Sequence, residues 1–372
     1  MDFARLTAFL ETSARQYDRP FFDMIVHKDG KEIYRKKYGF ADEKNGVPVS
    51  GNEQCYLYSC SKIVTCAAAL TLLEKGKYHM DDPVKRYLPE FSAIRVKGKD
   101  GVVRAQKDLT VRNLFAMTSG MDYDLHSEAI NAALQKNAHA TTEEIIRSLA
   151  QYPFSAQPDK RFVYGLSHDV LARLIEIWSG KKFSEYVKEE IFEPLGMSAS
   201  TFCVTEEVKN SVVPKYAYDY ELKRRVLCDG NEHLFSDAYE SGGAGMVSTA
   251  EDYIKFLDGL ASGRVLARYT LRLMSTPQVT PQQLAPENVW WTHGYSYGCG
   301  VKIHVDRAKS DSNAPLGVFG WSGAAGAAAI VDLKNNLTVF YLQHMHYNDQ
   351  GDFEPRLFNV LYSCLGDEVE LW

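Results

Sequence analysis

Strand patterns lie near both ends of this chain, with a helical block between them, and this distribution constrains the fold more than any other feature. Near the N-terminus two β-rich runs, 21–26 and 32–38, are joined through Asp29-Gly30, which is typical of a hairpin turn. After residue 200, strand patterns cover 212–218, 224–228, 297–304, 317–321, 325–331 and 337–343. Hairpins and short connections favour an antiparallel sheet. We therefore predict an α+β fold in which both chain ends build one antiparallel sheet flanked by helices.

Helical patterns begin in the first turn of the chain and dominate the segment between the two sets of strands. The predicted helices cover 59–75, 109–117, 168–178, 183–192, 249–260 and 267–274, with one more before Pro153 and a last one after Glu354. We find no internal repeat and no flexible linker. The chain is therefore predicted to be a single domain, 1–372, with an α/β part at about 1–58 and 200–372 and a mainly helical part at about 59–199.

Charge, hydropathy and cysteine usage argue against several classes of partner. The 42 basic and 48 acidic side chains give a net charge of −6, whereas a nucleic-acid surface needs clustered positive charge. No apolar stretch reaches membrane-spanning length, and residues 1–5 lack the features of a signal peptide. An odd number of cysteines without a CxxC pair fits reduced thiols. We predict a cytoplasmic protein with no nucleic-acid or membrane partner; the oligomeric state stays open.

The run Tyr58-Ser59-Cys60-Ser61-Lys62 contains a candidate nucleophile and its activating lysine. Ser59 falls between a short strand and the first turn of an apolar helix, where free N–H groups and the helix dipole favour an oxyanion. Lys62 lies on the same helix face, and apolar neighbours reduce its preference for the charged form. Spacing alone is weak, because Ser179 and Lys182 share it. Lys62 could equally be a surface lysine that extends its ammonium into water.

Further segments resemble the β-lactamase-related serine hydrolases, and the resemblance covers nearly the whole chain. In family order the matching segments are 38–42, 58–62, 73–76, 81–84, 109–114, 118–120, 194–197 and 245–252. The resemblance implies a β-lactamase/transpeptidase-like fold with Ser59 and Lys62 as catalytic residues.

Tyr164, in the segment 164–171, resembles the tyrosine motif of that family. Leu166 stands where the family commonly has asparagine, a pattern more similar to the family's esterases. The resemblance implies that Tyr164 is catalytic and lies across the site from Ser59, where the charge of Lys62 would activate it. The alternative is a structural tyrosine whose hydroxyl bonds the backbone.

The segment Trp321-Ser322-Gly323-Ala324 resembles the Lys-Thr-Gly strand of the family. The resemblance implies an oxyanion hole formed by the backbone N–H groups of Ser59 and Ala324. It also assigns Trp321, Ser322 and Gly323 to substrate binding. Trp321 replaces the lysine that recognises the carboxylate of a β-lactam and offers an apolar wall instead, as in the family's carboxylesterases and acyl-transferring relatives. The alternative is a core tryptophan.

Ser119 and Tyr123 follow the predicted helix 109–117 and are predicted to line the rim of the same pocket. The glycine-rich run 241–245 lacks a following Gly-Lys-Ser/Thr and is predicted to be a turn. His344 and His346 have no evident third partner for a metal. We therefore predict no metal and no cofactor.

Together these features predict a serine hydrolase that forms an acyl-enzyme on Ser59 and acts on a small ester or amide, as a carboxylesterase does. The alternative on the same site is β-lactamase or D-alanyl-D-alanine peptidase activity, with a small β-lactam or peptide substrate. A catalytically weak binding scaffold is a third hypothesis. The natural substrate and the division of the base role between Lys62 and Tyr164 stay open.

Overall fold

The structure, a computed structural model, describes residues 1–287, 290–347 and 349–366. Its strands are β1 (Phe21–Lys28), β2 (Lys31–Asp42), β3 (Val47–Pro48), β4 (Cys55–Tyr56), β5 (Arg95–Gly98), β6 (Gly101–Arg104), β7 (Lys215–Asp219), β8 (Arg224–Cys228), β9 (Val247–Ser248), β10 (Tyr295–Tyr297), β11 (Lys302–His304), β12 (Phe319–Ser322), β13 (Ala328–Asp332), β14 (Leu337–Leu342) and β15 (Met345–His346).

The α-helices are α1 (Ala4–Gln16), α2 (Ser61–Glu74), α3 (Val111–Phe115), α4 (Glu128–Lys136), α5 (Thr142–Leu149), α6 (Ser167–Ser179), α7 (Phe183–Val187), α8 (Glu193–Leu195), α9 (Glu206–Ser211), α10 (Ala250–Ala261), α11 (Arg268–Met274), α12 (Pro281–Leu284) and α13 (Gln350–Cys364). Short 3₁₀ turns occupy Tyr58–Cys60, Val84–Arg86, Pro89–Ala93 and Trp290–Thr292, and a π-turn occupies Lys188–Phe192. In the described part of the chain no helix combines the length and apolar composition that crossing a bilayer requires.

Both ends of the chain contribute to the main sheet, as predicted. Its eight strands follow the order β10-β11-β12-β13-β14-β1-β2-β3, and each neighbouring pair is antiparallel. The two ends meet where β14 pairs with β1, with Ile25 opposite Phe340. The predicted hairpin at Asp29-Gly30 is present, and both residues have the positive φ of a two-residue hairpin turn, 52° and 69°. The predicted α+β fold class is therefore confirmed.

Each face of the sheet is covered by a different set of helices. Successive side chains of a strand point to opposite faces, and in β1 Met24 belongs to one core while Ile25 belongs to the other. The first core is made with α1 and α13, and the second is made with α2, α10 and the helical block. Burial on both faces explains why the first six residues of β1 are buried without alternation.

The structure differs from the sequence-based expectations at several places. The predicted strand 297–304 is two strands, β10 and β11, because the chain turns at Gly300 (φ 77°), where a Cβ atom would lie 2.6 Å from Cys66 Sγ. The hairpin β5–β6 was missed inside the helical block, although Asp100-Gly101 is the same turn signal as Asp29-Gly30. Helix α13 begins at Gln350, four residues before Glu354, and contains Pro355. The division of the domain near residues 58 and 200 stays a prediction.

Candidate active site

Ser59 lies at the junction that the sequence indicated, between a short strand and a buried helix. β4 leads into the 3₁₀ turn Tyr58–Cys60, and α2 follows directly. Tyr58 has a φ of 46°, a left-handed conformation that non-glycine residues rarely adopt. Its side chain is buried, and its Oη atom accepts a hydrogen bond from Lys215 Nζ at 2.7 Å. These contacts hold the strained residue in place, and they leave Ser59 half-buried at the start of the helix.

Helix α2 runs through the core of the molecule and carries Lys62 with it. Every residue from Ser61 to Leu72 is buried, because α2 packs between the sheet and the helical block. Lys62 is 0 % exposed. The interpretation of Lys62 as a surface lysine is therefore wrong.

The ammonium group of Lys62 has three acceptors, as many as it has N–H donors. It donates to Ser59 Oγ at 3.1 Å, to Tyr123 Oη at 2.9 Å and to the Gly243 carbonyl oxygen at 2.7 Å. A buried lysine with all its donors engaged has a defined position. Nζ is therefore held next to the hydroxyl of Ser59.

The pKa of Lys62 depends on its burial and on its contacts with two tyrosines. Burial by itself lowers the pKa of Lys62, but its contacts with Tyr123 and Tyr164 outweigh burial and hold the pKa above the ordinary value for lysine. Burial therefore acts in the expected direction, and the opposing contribution comes from the tyrosines, of which the sequence indicated Tyr164 but not the contact with Tyr123.

Tyr164 lies on the other side of Ser59. Its hydroxyl donates to Ser59 Oγ at 2.8 Å, and its ring centre lies 4.6 Å from Lys62 Nζ. The alternative of a hydroxyl bonded only to the backbone does not describe this tyrosine. The structure thus brings together Ser59, Lys62 and Tyr164, the three residues predicted to be catalytic.

Trp321 is oriented by its indole nitrogen as well as by packing. Nε1–H donates to Tyr164 Oη at 2.9 Å. The ring packs edge-on against Tyr297 and Trp291, with centroids 5.2 and 5.0 Å away. It is 7 % exposed, so it is largely a core residue that also contacts Tyr164. The sequence suggested the apolar wall but not the hydrogen bond.

The end of β12 packs against the residues that flank Ser59. A Cβ atom on Gly323 would lie 2.2 Å from the Leu57 carbonyl oxygen, so only glycine permits this approach. Cys60 Sγ lies 3.8 Å from the Trp321 carbonyl oxygen. Ala324, the next residue, is exposed. The Cys60 N–H donates to the Leu57 carbonyl oxygen at 3.1 Å, so the same carbonyl that Gly323 approaches also belongs to the turn that carries Ser59.

Two predicted substrate-binding side chains are engaged elsewhere. Ser322 donates its hydroxyl to Glu354 on α13, and Glu354 also accepts from Lys302. Ser119 is 0 % exposed and shares a 2.7 Å hydrogen bond with Ser167. In this geometry neither hydroxyl is available to a substrate, because each is directed into the protein. Tyr123, predicted at the rim, is half-buried and also accepts a hydrogen bond from Lys62.

Sequence reasoning missed the acceptor for Lys62 in the turn 241–245. The turn itself was predicted and is present. Its glycines allow close packing, since a Cβ atom on Gly242 would lie 2.5 Å from the His168 carbonyl oxygen. The glycine run was therefore a signal for close backbone approach, but sequence could not show that Lys62 is what the Gly243 carbonyl meets.

The second Ser-x-x-Lys match does not form a comparable cluster. Ser179 ends α6, and its hydroxyl donates to the carbonyl oxygens of Glu176 and Lys181 at 3.5 Å. Within the described chain no group of three or more His, Cys, Asp or Glu side chains could hold a metal ion. His344 has both ring nitrogens at backbone groups, Val213 O at 3.1 Å and Tyr56 N at 3.2 Å.

Known proteins that are similar to this chain in sequence or structure include an esterase, an acyltransferase and a hydrolase. Esterase EstB of Burkholderia gladioli is 27 % identical over 386 residues, covering 97 % of this chain and 95 % of its own. The acyltransferase mokF of Monascus pilosus is 29 % identical over 279 residues, covering 70 % and 67 %. Among solved structures, that of EstCE1, a hydrolase with promiscuous acyltransferase activity, has a TM-score of 0.81 at 23 % identity and covers 96 % of this chain and 97 % of its own.

The sequence pattern of one family spans almost the entire chain. The family described as Beta-lactamase matches residues 6–360, which include Ser59, Lys62, Tyr164 and Trp321. The structural likeness to EstCE1 supports the β-lactamase/transpeptidase fold that the resemblance implied. This chain belongs to the Beta-lactamase family.

Proposed function

We propose that this protein is a serine hydrolase that forms an acyl-enzyme on Ser59 and hydrolyses small carboxylic esters. One observation carries the proposal: Ser59 Oγ accepts hydrogen bonds from both Lys62 Nζ, at 3.1 Å, and Tyr164 Oη, at 2.8 Å. A nucleophilic hydroxyl needs a proton acceptor and a nearby positive charge, and these two groups supply them.

In the proposed division of roles Tyr164 moves the proton and Lys62 supplies the charge. Lys62 stays cationic because its pKa is held above the ordinary value: burial lowers it, but Tyr123 and Tyr164 outweigh burial. Its ammonium and the Trp321 N–H both lie next to Tyr164, so negative charge that develops on Oη is stabilised. For this step Tyr164 first gives its own proton to water; its phenolate then accepts the proton of Ser59, so the hydrogen bond between the two oxygens reverses direction.

The reaction then has two halves. Ser59 Oγ attacks the ester carbonyl carbon as its proton passes to Tyr164, and the resulting oxyanion is held by the backbone N–H groups of Ser59 and Ala324. The tetrahedral intermediate loses the alkoxide, which takes the proton from Tyr164 and leaves as an alcohol. Water then attacks the acyl group, gives a proton to Tyr164 and releases the acid, and Ser59 recovers its proton.

The aromatic residues around the reacting groups favour esters without a carboxylate at the recognised end. Trp321 stands where the penicillin-recognising relatives have a cation, and it packs on Tyr297 and Trp291. An uncharged alkoxy or acyl group suits such a wall better than an anion. The relationship to Esterase EstB points in the same direction.

Acyl transfer to an alcohol is a second candidate function. An acyl-enzyme can be resolved by an alcohol in place of water, and the relatives include the acyltransferase mokF. With a nitrophenyl ester as acyl donor, added butanol would yield the butyl ester if transfer occurs. Only free acid would form if the enzyme is strictly a hydrolase.

Turnover of a short-chain nitrophenyl ester and of a chromogenic cephalosporin, compared side by side, tests the preferred function. We expect ester turnover that is abolished in Ser59→Ala and unchanged in Ser179→Ala, the matched control from the second Ser-x-x-Lys run. Rapid cephalosporin turnover with no esterase activity would overturn the ester assignment. Full ester turnover by Ser59→Ala would overturn the mechanism.

A further inference from the structure

Asp169 is a buried carboxylate close to the predicted catalytic groups, and the proposed mechanism does not use it. It lies in the first turn of α6 and is 1 % exposed. Its Oδ1 atom accepts from Tyr239 Oη at 2.8 Å, from Ser241 Oγ at 2.7 Å and from the Gly243 N–H at 3.4 Å. One carboxylate oxygen therefore anchors the turn 241–245.

The anchored turn is the one that contacts Lys62. The Gly243 carbonyl oxygen accepts from Lys62 Nζ at 2.7 Å. A Cβ atom on Gly243 would lie 2.6 Å from Asp169 Oδ2 and 3.1 Å from Tyr123 Oη, so only glycine fits between the carboxylate and that tyrosine. Asp169 Oδ2 is buried and has no hydrogen-bond partner among the described residues. Gly243, one of the three acceptors of Lys62, thus lies against Asp169 and also packs against Tyr123, a second acceptor.

Among the residues that the structure describes, no carboxylate contacts the ammonium group of Lys62 directly. The titratable side chains that face it are the phenols of Tyr123 and Tyr164, the thiols of Cys60 and Cys66, the imidazoles of His168 and His233, and Asp169. Burial, reinforced by Lys62, lowers the pKa of His168 to about 3 and that of His233 to about 4, so neither adds positive charge at neutral pH. Glu232 lies beyond His233 and is half exposed.

Asp169 has the features of an ionised group despite its burial. Burial raises its pKa, while Ser241, Tyr239 and Lys62 oppose that rise. Three donors on one oxygen are typical of a carboxylate rather than a carboxylic acid. A buried cation that lacks a counter-charge is costly, and an anion one residue away offsets that cost.

We infer that Asp169 is a positioning residue that serves as the counter-charge of Lys62 and fixes the Gly243 carbonyl through the turn 241–245. This inference rests on the proposed function, and it adds that the Asp169 carboxylate balances the positive charge of Lys62. Asp169 itself touches neither Ser59 nor a substrate; it acts through Lys62 and Gly243.

The inference predicts a shift in pH dependence with a definite sign. A negative charge stabilises the protonated form of every neighbour, so removing it lowers the pKa of both Lys62 and the adjacent phenols. Both limbs of the pH–rate profile for labelling of Ser59 should therefore move to lower pH in Asp169→Asn, by about one pH unit for the loss of a buried charge. Asn keeps the Oδ1 acceptor, so the turn stays anchored.

The experiment measures the rate at which a fluorophosphonate labels Ser59 across the pH range, because this reaction needs no natural substrate. Ser241→Ala is the matched variant: it removes one anchor of the turn and keeps the charge, so its rate should fall a few-fold without a shift of the profile. A purely structural Asp169 would lower the rate in Asp169→Asn and leave the profile in place, which would overturn the inference. If the wild type is not labelled at all, the proposed function itself fails.

Lys62→Met provides a test that needs no Asp169 variant, in case Asp169→Asn does not fold. Without Lys62 the folded-state pKa of Asp169 rises further above its unfolded value, so stability is lost as pH rises above about 4. The difference in melting temperature between Lys62→Met and the wild type should therefore grow from about pH 5 to about pH 8. A constant difference across that range would overturn the inference.

Discussion

At the residue scale, Trp321 makes a hydrogen bond to Tyr164 that its sequence motif did not predict. Its motif suggested an apolar wall, but its N–H also donates to Tyr164 Oη at 2.9 Å. We expect Trp321→Phe, which keeps an aromatic ring and removes the donor, to lower kcat roughly tenfold with little change in KM, because the lost bond supports charge in the transition state. Steady-state ester hydrolysis measures this.

The matched control for this change is Trp291→Phe. Trp291 belongs to the same aromatic wall and packs on Trp321 with centroids 5.0 Å apart. We expect Trp291→Phe to alter KM more than kcat, because Trp291 lies further from the reacting groups than Trp321 does. Equal effects of the two substitutions on kcat would contradict a role for the Trp321 N–H.

Tyr58 illustrates how a strained residue is held next to the nucleophile. Tyr58→Phe removes the acceptor of the buried Lys215 ammonium and loosens a residue with a φ of 46°. We expect a loss of about 1–3 kcal/mol in the free energy of unfolding and slower fluorophosphonate labelling of Ser59. Denaturant titration and labelling kinetics measure the two effects.

Tyr34→Phe is the control for Tyr58→Phe. The Tyr34 hydroxyl bonds Thr7 at 3.0 Å in a half-buried position on the other face of the sheet. We expect Tyr34→Phe to lower the free energy of unfolding without slowing the fluorophosphonate labelling of Ser59. If both variants slow labelling alike, Tyr58 has no particular influence on Ser59.

At the scale of elements, the sequence predicted what depends on local pattern and missed what depends on distant partners. The hairpin at Asp29-Gly30 and the junction at Ser59 follow from turn chemistry and periodicity, and both are present. The Gly243 carbonyl reaches Lys62 from 181 positions away, and Ser322 turns to Glu354 on a helix that follows it. Such contacts depend on how elements pack, which no local pattern encodes.

Strand β12 is placed against α2 by the absence of a side chain at Gly323. We expect Gly323→Ala to push the strand away from Leu57, because the new Cβ atom would lie 2.2 Å from the Leu57 carbonyl oxygen. The displacement moves the Ala324 N–H from the proposed oxyanion hole, and loss of one such donor typically costs about 10²–10³ in kcat. Ester kinetics measure the loss.

Gly98→Ala serves as the comparison for this substitution. It brings a Cβ atom to 2.9 Å from the Gly101 carbonyl oxygen in the hairpin β5–β6. Since that hairpin lies outside the site described above, activity should persist. A comparable loss of kcat in both variants would show that the effect of Gly323→Ala is not local.

At the scale of the whole molecule, the two chain ends share one sheet. β1 lies between β2 and β14, so separating the ends would break the centre of the sheet. We therefore expect one cooperative unfolding transition, with far-UV and near-UV circular dichroism changing together. Two separated transitions would contradict a single domain and would favour independent folding of the helical part.

The central claim is that Ser59 carries the acyl group during turnover. Rapid acid quenching of the enzyme during hydrolysis of a nitrophenyl ester, followed by peptide mapping with mass spectrometry, tests it most directly. We expect the acyl mass on the peptide that contains Ser59. In Ser59→Ala both this acyl mass and ester turnover should be lost. Ester turnover with the acyl mass on another residue, such as Ser179 or Cys60, would contradict it.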